Sequence, residues 1–163
     1  MRDQDQFLEL VRGSRSLHRP WIFPPADADR FAAYLQRTRR PDQEGLLLCR
    51  RNDRALVGVF NVSQIVYGAL CSAYLGFWVG APYAGQGYMT EGMGLVLRHV
   101  FRVLKLHRIE ANIQPRNTSS IALVRRTGFR REGFSPRYLK IGARWRDHER
   151  WAITIEDWLP TAR

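Results

Sequence analysis

Residues 72–104 change their apolar spacing once, and they do so across a glycine loop. The stretch "SAYLGFWVG" (72–80) is apolar and carries the aromatic and β-branched residues of a buried strand. From Tyr88 onward the spacing is helical, with Met89, Met93, Leu97, Val100, Phe101 and Leu104 on one face and Arg98, Arg102 and Lys105 on the other. Between them lies "PYAGQGY", with glycines at 85 and 87. A strand, a glycine loop and a helix in succession place unpaired backbone N–H groups and a helix amino terminus at one spot, which attracts anions. The competing reading is an ordinary turn that needs small residues. The loop lacks the lysine of a P-loop and the third glycine of a dinucleotide fingerprint.

The remaining elements arrange themselves around this junction. Phe7, Leu8, Leu10 and Val11 predict a helix over 4–15 that runs into the proline-rich aromatic loop "HRPWIFPP". A second helix starts at Asp27 and Asp29, buries Phe31, Tyr34 and Leu35, and stops before Pro41. "GLLLCR" and "ALVGVFNVSQIV" read as strands joined through "RNDR". Downstream, "HRIEANIQ" is a strand, Asn117 caps a helix that Gly128 ends, and "GFSPRYLKIG" and "RWRDHERWAITI" are two last strands meeting at "IGAR". The order predicts an α+β fold: one domain over 1–163, with a mixed, mostly antiparallel sheet, helices on both faces, and one parallel step at the glycine loop.

Composition narrows the function classes. The 163 residues contain no apolar run near the ~20 needed to span a bilayer, and "MRDQDQFLEL" is too acidic and polar for a secretory leader, so a cytoplasmic protein without a membrane partner is expected. Cys49 and Cys71 lie in apolar, strand-like contexts and read as buried thiols. His18, His99, His107 and His148 are scattered and read as structural, and the lone His within "WRDHE" has no partner at metal-ligand spacing, so no metal is expected. A net charge of +11 favours a polyanionic neighbour such as RNA, or an anionic ligand.

Two constellations together carry a resemblance. "YLGFWVG…YAGQGYMTEG" followed by "NTSSIALVRRTGF" is similar to the GNAT superfamily of N-acetyltransferases, in which a Q/R-x-x-G-x-G/A loop binds the diphosphate of acetyl-CoA. "HRPW", "HRIEANIQPRN", "GFRREGF" and "RYLKIGARWRDHERWAI" extend the likeness to the RimJ/RimL-like branch, which acetylates ribosomal-protein amino termini, over roughly Leu17–Trp158. The resemblance implies acetyl-CoA as cosubstrate, held by Phe77, Trp78 and Val79 of the strand, by Ala84, Gly85, Gln86, Gly87, Tyr88 and Met89 of the loop, and by Asn117 and Ser120. It implies Trp21, Arg137 and Tyr138 beside the acceptor. Ser120 is implied as the acid for the departing thiolate, though it also reads as a helix cap. Glu110 is the candidate base; equally, its alternation with Ile109 and Ala111 reads as the solvent face of a strand.

The sequence departs from the superfamily pattern in several places. Ala84 stands where the loop is usually headed by Gln or Arg, and Met89 stands where it closes on a small residue. Val124 replaces a tyrosine acid common in relatives, Arg137 replaces the glutamate base of RimL-type enzymes, and the superfamily's usual first strand is missing. Three functions are consistent with these residues. The first is acetyl transfer to a protein amino terminus, a ribosomal protein near rRNA fitting the charge, by a monomer or homodimer. The second is acetylation of a small-molecule amine, and the third is a non-catalytic ribosome- or RNA-binding assembly factor.

Overall fold

The computed structural model describes residues 2–159. Helices α1 (Arg2–Gly13), α2 (Arg15–His18) and α3 (Ala28–Thr38) precede strands β1 (Gln43–Cys49), β2 (Leu56–Val66) and β3 (Ser72–Val79). A single 3-10 turn at Ala81–Tyr83 then leads into α4 (Tyr88–Arg102), β4 (Arg108–Ile113), α5 (Thr118–Arg126), β5 (Arg130–Ile141), β6 (Arg144–Thr154) and the short α6 (Ile155–Trp158). The α+β order expected from the spacing is therefore present, with three short helical turns added: one leading into the proline-rich loop, one just before the loop glycines, and one after the final strand.

The six strands form one sheet in the order β1-β2-β3-β4-β6-β5, so β1 and β5 are its edges. Among the described residues no strand precedes α1. Every pairing is antiparallel except β3 with β4, the parallel step made through α4. That ladder is short: Ser72 pairs with Arg108, Ala73 with Ile109 and Tyr74 with Glu110, and there it stops although both strands continue.

Two cores hold the parted strands. On one face α4 and α5 bury Met93, Leu97, Val100, Phe101, Leu123 and Val124 against Phe60, Leu75, Ile109, Ala111 and Ile153. On the other, α1 and α3 bring Phe7, Val11, Phe31 and Tyr34 onto Leu56, Val59 and Trp78. Phe7 is the centre of this second core, with its ring 4.8 Å from Phe31, 5.7 Å from Tyr34 and 5.3 Å from Trp78. The two-residue period of β3 makes both contacts possible, because Leu75 and Phe77 face α4 while Trp78 faces α1.

The caps read from sequence are formed. The Asp27 carboxylate accepts the Arg30 N–H at 2.9 Å and the Asn117 side-chain oxygen accepts the Ser120 N–H at 3.2 Å. The cysteines differ from expectation. Cys49 ends β1 at an exposed position, and Cys71 lies only partly buried before β3, because strand ends, unlike strand middles, are not covered by helices.

Gly58 on β2 marks where the sheet is tightest. It pairs with Val79, and a Cβ there would meet the Trp78 carbonyl oxygen at 2.4 Å and the Met89 sulfur at 3.3 Å. Backbone cannot give way as a flexible side chain can, so Gly58→Ala is expected to lower unfolding free energy by about 2–3 kcal/mol, read by denaturant melts.

Candidate active site

The site is built where β3 runs into the glycine loop. The Gly80 N–H donates to the Val57 carbonyl at 2.8 Å, which fixes the phase of the β2–β3 ladder. By the alternation of antiparallel bonding, Trp78 then exchanges its main-chain bonds with Val59, while the main chains of Phe77 and Val79 point away from β2. Because the β4 ladder has already ended at Tyr74, those groups face the gap between β3 and β4. Of the three strand residues expected at the cofactor, Phe77 and Val79 therefore turn main-chain groups to the gap, and Trp78 contributes its side chain.

The loop supplies a second set of donors. Gly85 and Gly87 have φ of 74° and 86°, a region that side-chain-bearing residues rarely adopt, and no heavy atom lies within 4 Å of a Cβ built at either. Gly87 is the cap of α4, with Thr90 donating to its carbonyl at 2.9 Å. The main-chain N–H groups of residues 85–89 find no acceptor among the described residues. The Gln86 side chain turns back to donate to the Pro82 carbonyl at 2.7 Å, so the loop braces itself and leaves its main chain bare.

A cleft of 270 Å³ joins these groups, lined by Phe77, Val79, Ala84, Gly85, Gly87, Tyr88, Met89, Ser120 and Arg126 among others. A smaller cavity of 80 Å³ shares Phe77, Val79 and Ser120 with it and also touches His18, Trp21 and Asn117. Ser120 lies on both. Its N–H is used by the Asn117 cap, and its hydroxyl has no partner among the described residues.

Other candidates lie outside the cleft. Glu110 points from the opposite face of β4, half-buried, and accepts from the Arg108 guanidinium at 2.9 Å; Arg108 also pairs with Glu132. Tyr138 meets Tyr74 hydroxyl to hydroxyl at 3.4 Å, and this bond, with burial behind it, pushes the Tyr74 phenol up to about 12. Arg137 takes a positive φ of 49° at the β5 irregularity and donates its N–H to the Asp147 carboxylate at 2.7 Å. Neither Arg137 nor Tyr138 lines the cleft or the smaller cavity.

Sequence reasoning reads His18 as structural and gives it no place beside the cleft. It is 4% exposed, its ring centroid lies 5.1 Å from that of Trp78, and Nε2 lies 2.9 Å from the Val79 carbonyl oxygen. Burial lowers its pKa below the ordinary imidazole value, so the ring is neutral, and since a carbonyl only accepts, the proton sits on Nε2. This bond ties the loop after α2 to the strand edge at the gap. The only signal in the sequence was position, a histidine directly before "RPW".

The combination of parted strands, bare loop donors and an intervening cleft defines an acyl-CoA-dependent transferase fold and site. The chain belongs to the GNAT acetyltransferase family: the family profile "Acetyltransferase (GNAT) domain" matches residues 1–130. The chain is 35% identical over 128 residues to the probable N-acetyltransferase YjcK of Bacillus subtilis, covering 78% of this chain and 71% of that one. It is 38% identical over 109 residues to the [ribosomal protein uS5]-alanine N-acetyltransferase of Escherichia coli, covering 67% of this chain and 56% of the relative's length. Among solved structures, Mycobacterium smegmatis RimJ in complex with CoA-disulfide superposes with a TM-score of 0.83 at 32% identity, covering 96% of this chain and 79% of that one. The protein is thus an acetyl-CoA N-acetyltransferase of the GNAT type. No described helix is long and apolar enough to cross a membrane, and no cluster of three or more metal-ligating side chains occurs among the described residues.

Removing the Asn117 cap frees the Ser120 N–H at the cleft. Asn117→Ala is expected to destabilise the fold by about 1 kcal/mol in thermal or denaturant unfolding.

Proposed function

We propose that the chain transfers the acetyl group of acetyl-CoA to the α-amino group of a protein amino terminus, of the ribosomal-protein-alanine kind. The observation that carries this reading is the gap between β3 and β4 opening beside a loop of unpartnered N–H donors. The choice of acceptor draws on the likeness to the E. coli enzyme and to RimJ.

In this reading the N–H groups of residues 85–89 take the diphosphate, helped by the amino terminus of α4 and the Arg126 side chain that lines the cleft. Ala84 in place of a Gln or Arg changes little, since the main chain does the binding. The outward main-chain groups of Phe77 and the N–H of Val79 take the pantetheine arm as a neighbouring strand would, the Val79 carbonyl being held by His18. Acetyl-CoA supplies the acyl group already activated as a thioester. Donors fixed in the folded strand stabilise charge developing on the acyl oxygen by about 3 kcal/mol without reorganising.

Ser120 is assigned as the proton donor to the departing thiolate, with a free hydroxyl on both cavities. The nucleophile needs little help. An α-amino group with a reference pKa near ~8 is partly neutral at physiological pH. Glu110 remains the candidate base through water, although Arg108 already engages its carboxylate and it does not line the cleft. Because only the neutral amine attacks, kcat/KM should rise with pH and level off near the acceptor's own pKa of about 8.

The test is acetyl-CoA turnover against alanine- and serine-headed peptides, read by thiol release. Ser120→Ala should lower kcat about a hundredfold with the acetyl-CoA Kd nearly unchanged, whereas Glu110→Gln should cost less than about tenfold. Gly87→Val should weaken acetyl-CoA binding by at least about tenfold, because a β-branched residue resists the positive φ that opens the loop. Normal acetyl-CoA binding by that variant, or no thiol release with any amino-terminal peptide, defeats the proposal.

A further inference from the structure

A groove of 700 Å³ lies on the far side of Trp21 from the cofactor cleft. Trp21 lines both this groove and the small cavity that holds Ser120, so the two spaces adjoin across one side chain. The Gln114 amide fixes that loop by donating to the Trp21 carbonyl at 3.1 Å. Beyond Trp21 the groove is bounded by Phe134 and Trp145, two large apolar side chains that are 47% and 60% exposed.

Its charges are uneven. Arg116 and Arg146 line the groove, and neither forms an ion pair with a described residue. Arg146 is the more telling of the two, because its Nε is buried with no hydrogen-bond partner. An unpartnered buried guanidinium N–H is costly, and no carboxylate of the described residues engages the rest of this guanidinium, which lines the groove with its charge uncompensated. The one acid on the groove, Asp147, already accepts the Arg137 N–H at 2.7 Å.

We propose that this groove receives the segment following the acceptor's amino terminus, and that Arg116 and Arg146 select a carboxylate side chain a few residues beyond the reacting amine. Trp21, Phe134 and Trp145 offer flat apolar surface to the neighbouring side chains of that segment. Two cations against one anion leave the groove net positive, which disfavours a polyamine, whose amines need acid. This selectivity rests on the amino-terminal acetyltransferase reading and refines it, since it says which amino termini are taken.

The experiment is steady-state acetylation of alanine-headed peptides identical except for Glu, Gln or Lys moved through the first few positions. Spermidine serves as a second acceptor, and acetyl-CoA affinity is measured by calorimetry throughout. The wild type should prefer Glu over Gln by about fivefold at the best position and reject Lys more strongly, through KM rather than kcat. Arg146→Met and Arg116→Met should each shrink that preference with acetyl-CoA affinity unchanged, and Arg146→Glu should turn it toward the Lys peptide. Indifference of the wild type to peptide charge, or an undiminished Glu preference in both Met variants, overturns the inference while leaving peptide acetylation standing. Turnover of spermidine with none of any peptide overturns the amino-terminal reading itself. Should Arg146→Met not fold, the wild-type peptide series and Arg116→Met decide the matter alone.

Discussion

The ending of the β3–β4 ladder at Tyr74 and Glu110 is the constraint on which the rest depends. A parallel pair that continued to Val79 would consume the main-chain groups of Phe77 and Val79 and close the gap. What keeps the strands apart is packing on both sides. Phe77 and Leu75 are held against the α4 core, Trp78 is held by Phe7 and His18, and the carbonyl of Val79 is taken by His18 Nε2 rather than by β4. An open seam in a sheet exposes unpaired polar groups, and it survives here because each flanking strand is anchored by a different core.

The same division explains why the site tolerates an unusual loop sequence. Main-chain donors do not depend on which side chain they carry, provided the backbone can adopt the required angles. The two glycines with positive φ satisfy that condition, and Ala84 and Met89 do not interfere with it. Gln86 contributes through the 2.7 Å bond that closes the turn on Pro82. A loop built this way is recognised by where glycines fall between a strand and a helix more than by its other letters.

Much of the fold was legible because its signals are local. The change of period at 80–88, the caps Asp27 and Asn117 and the stop at Gly128 are each written within a few residues, and the structure realises each of them. The gap itself was not legible, since nothing in "YLGFWVG" records where a neighbouring strand stops pairing, and only the resemblance pointed there. Nor was the bond from His18 to Val79, which joins residues 61 apart in sequence. Glu110 shows the converse limit. Its alternation along β4 was readable, but its pairing with Arg108 two residues away on the same face lies in side-chain geometry.

Cofactor and acceptor surfaces differ in how they are made, and the difference bears on specificity. On the proposed cofactor side the groups are main-chain amides with Ser119, Ser120, Thr90 and Arg126 beside them, suited to a ligand that does not vary. On the proposed acceptor side the groove is bounded by residues from three separate places: Trp21 after α2, Arg116 after β4, and Phe134, Trp145 and Arg146 on the terminal strands. Substitutions there alter charge and shape without disturbing either core or the seam. The buried Nδ1–H···O=C bond from His148 to Arg146, at 2.9 Å, ties down the main chain that carries the Arg146 side chain at the groove. In the proposed assignment, a main-chain-built cofactor cleft beside a side-chain-built groove would let the acetyl donor stay constant while the choice of amine rests on a handful of groove residues.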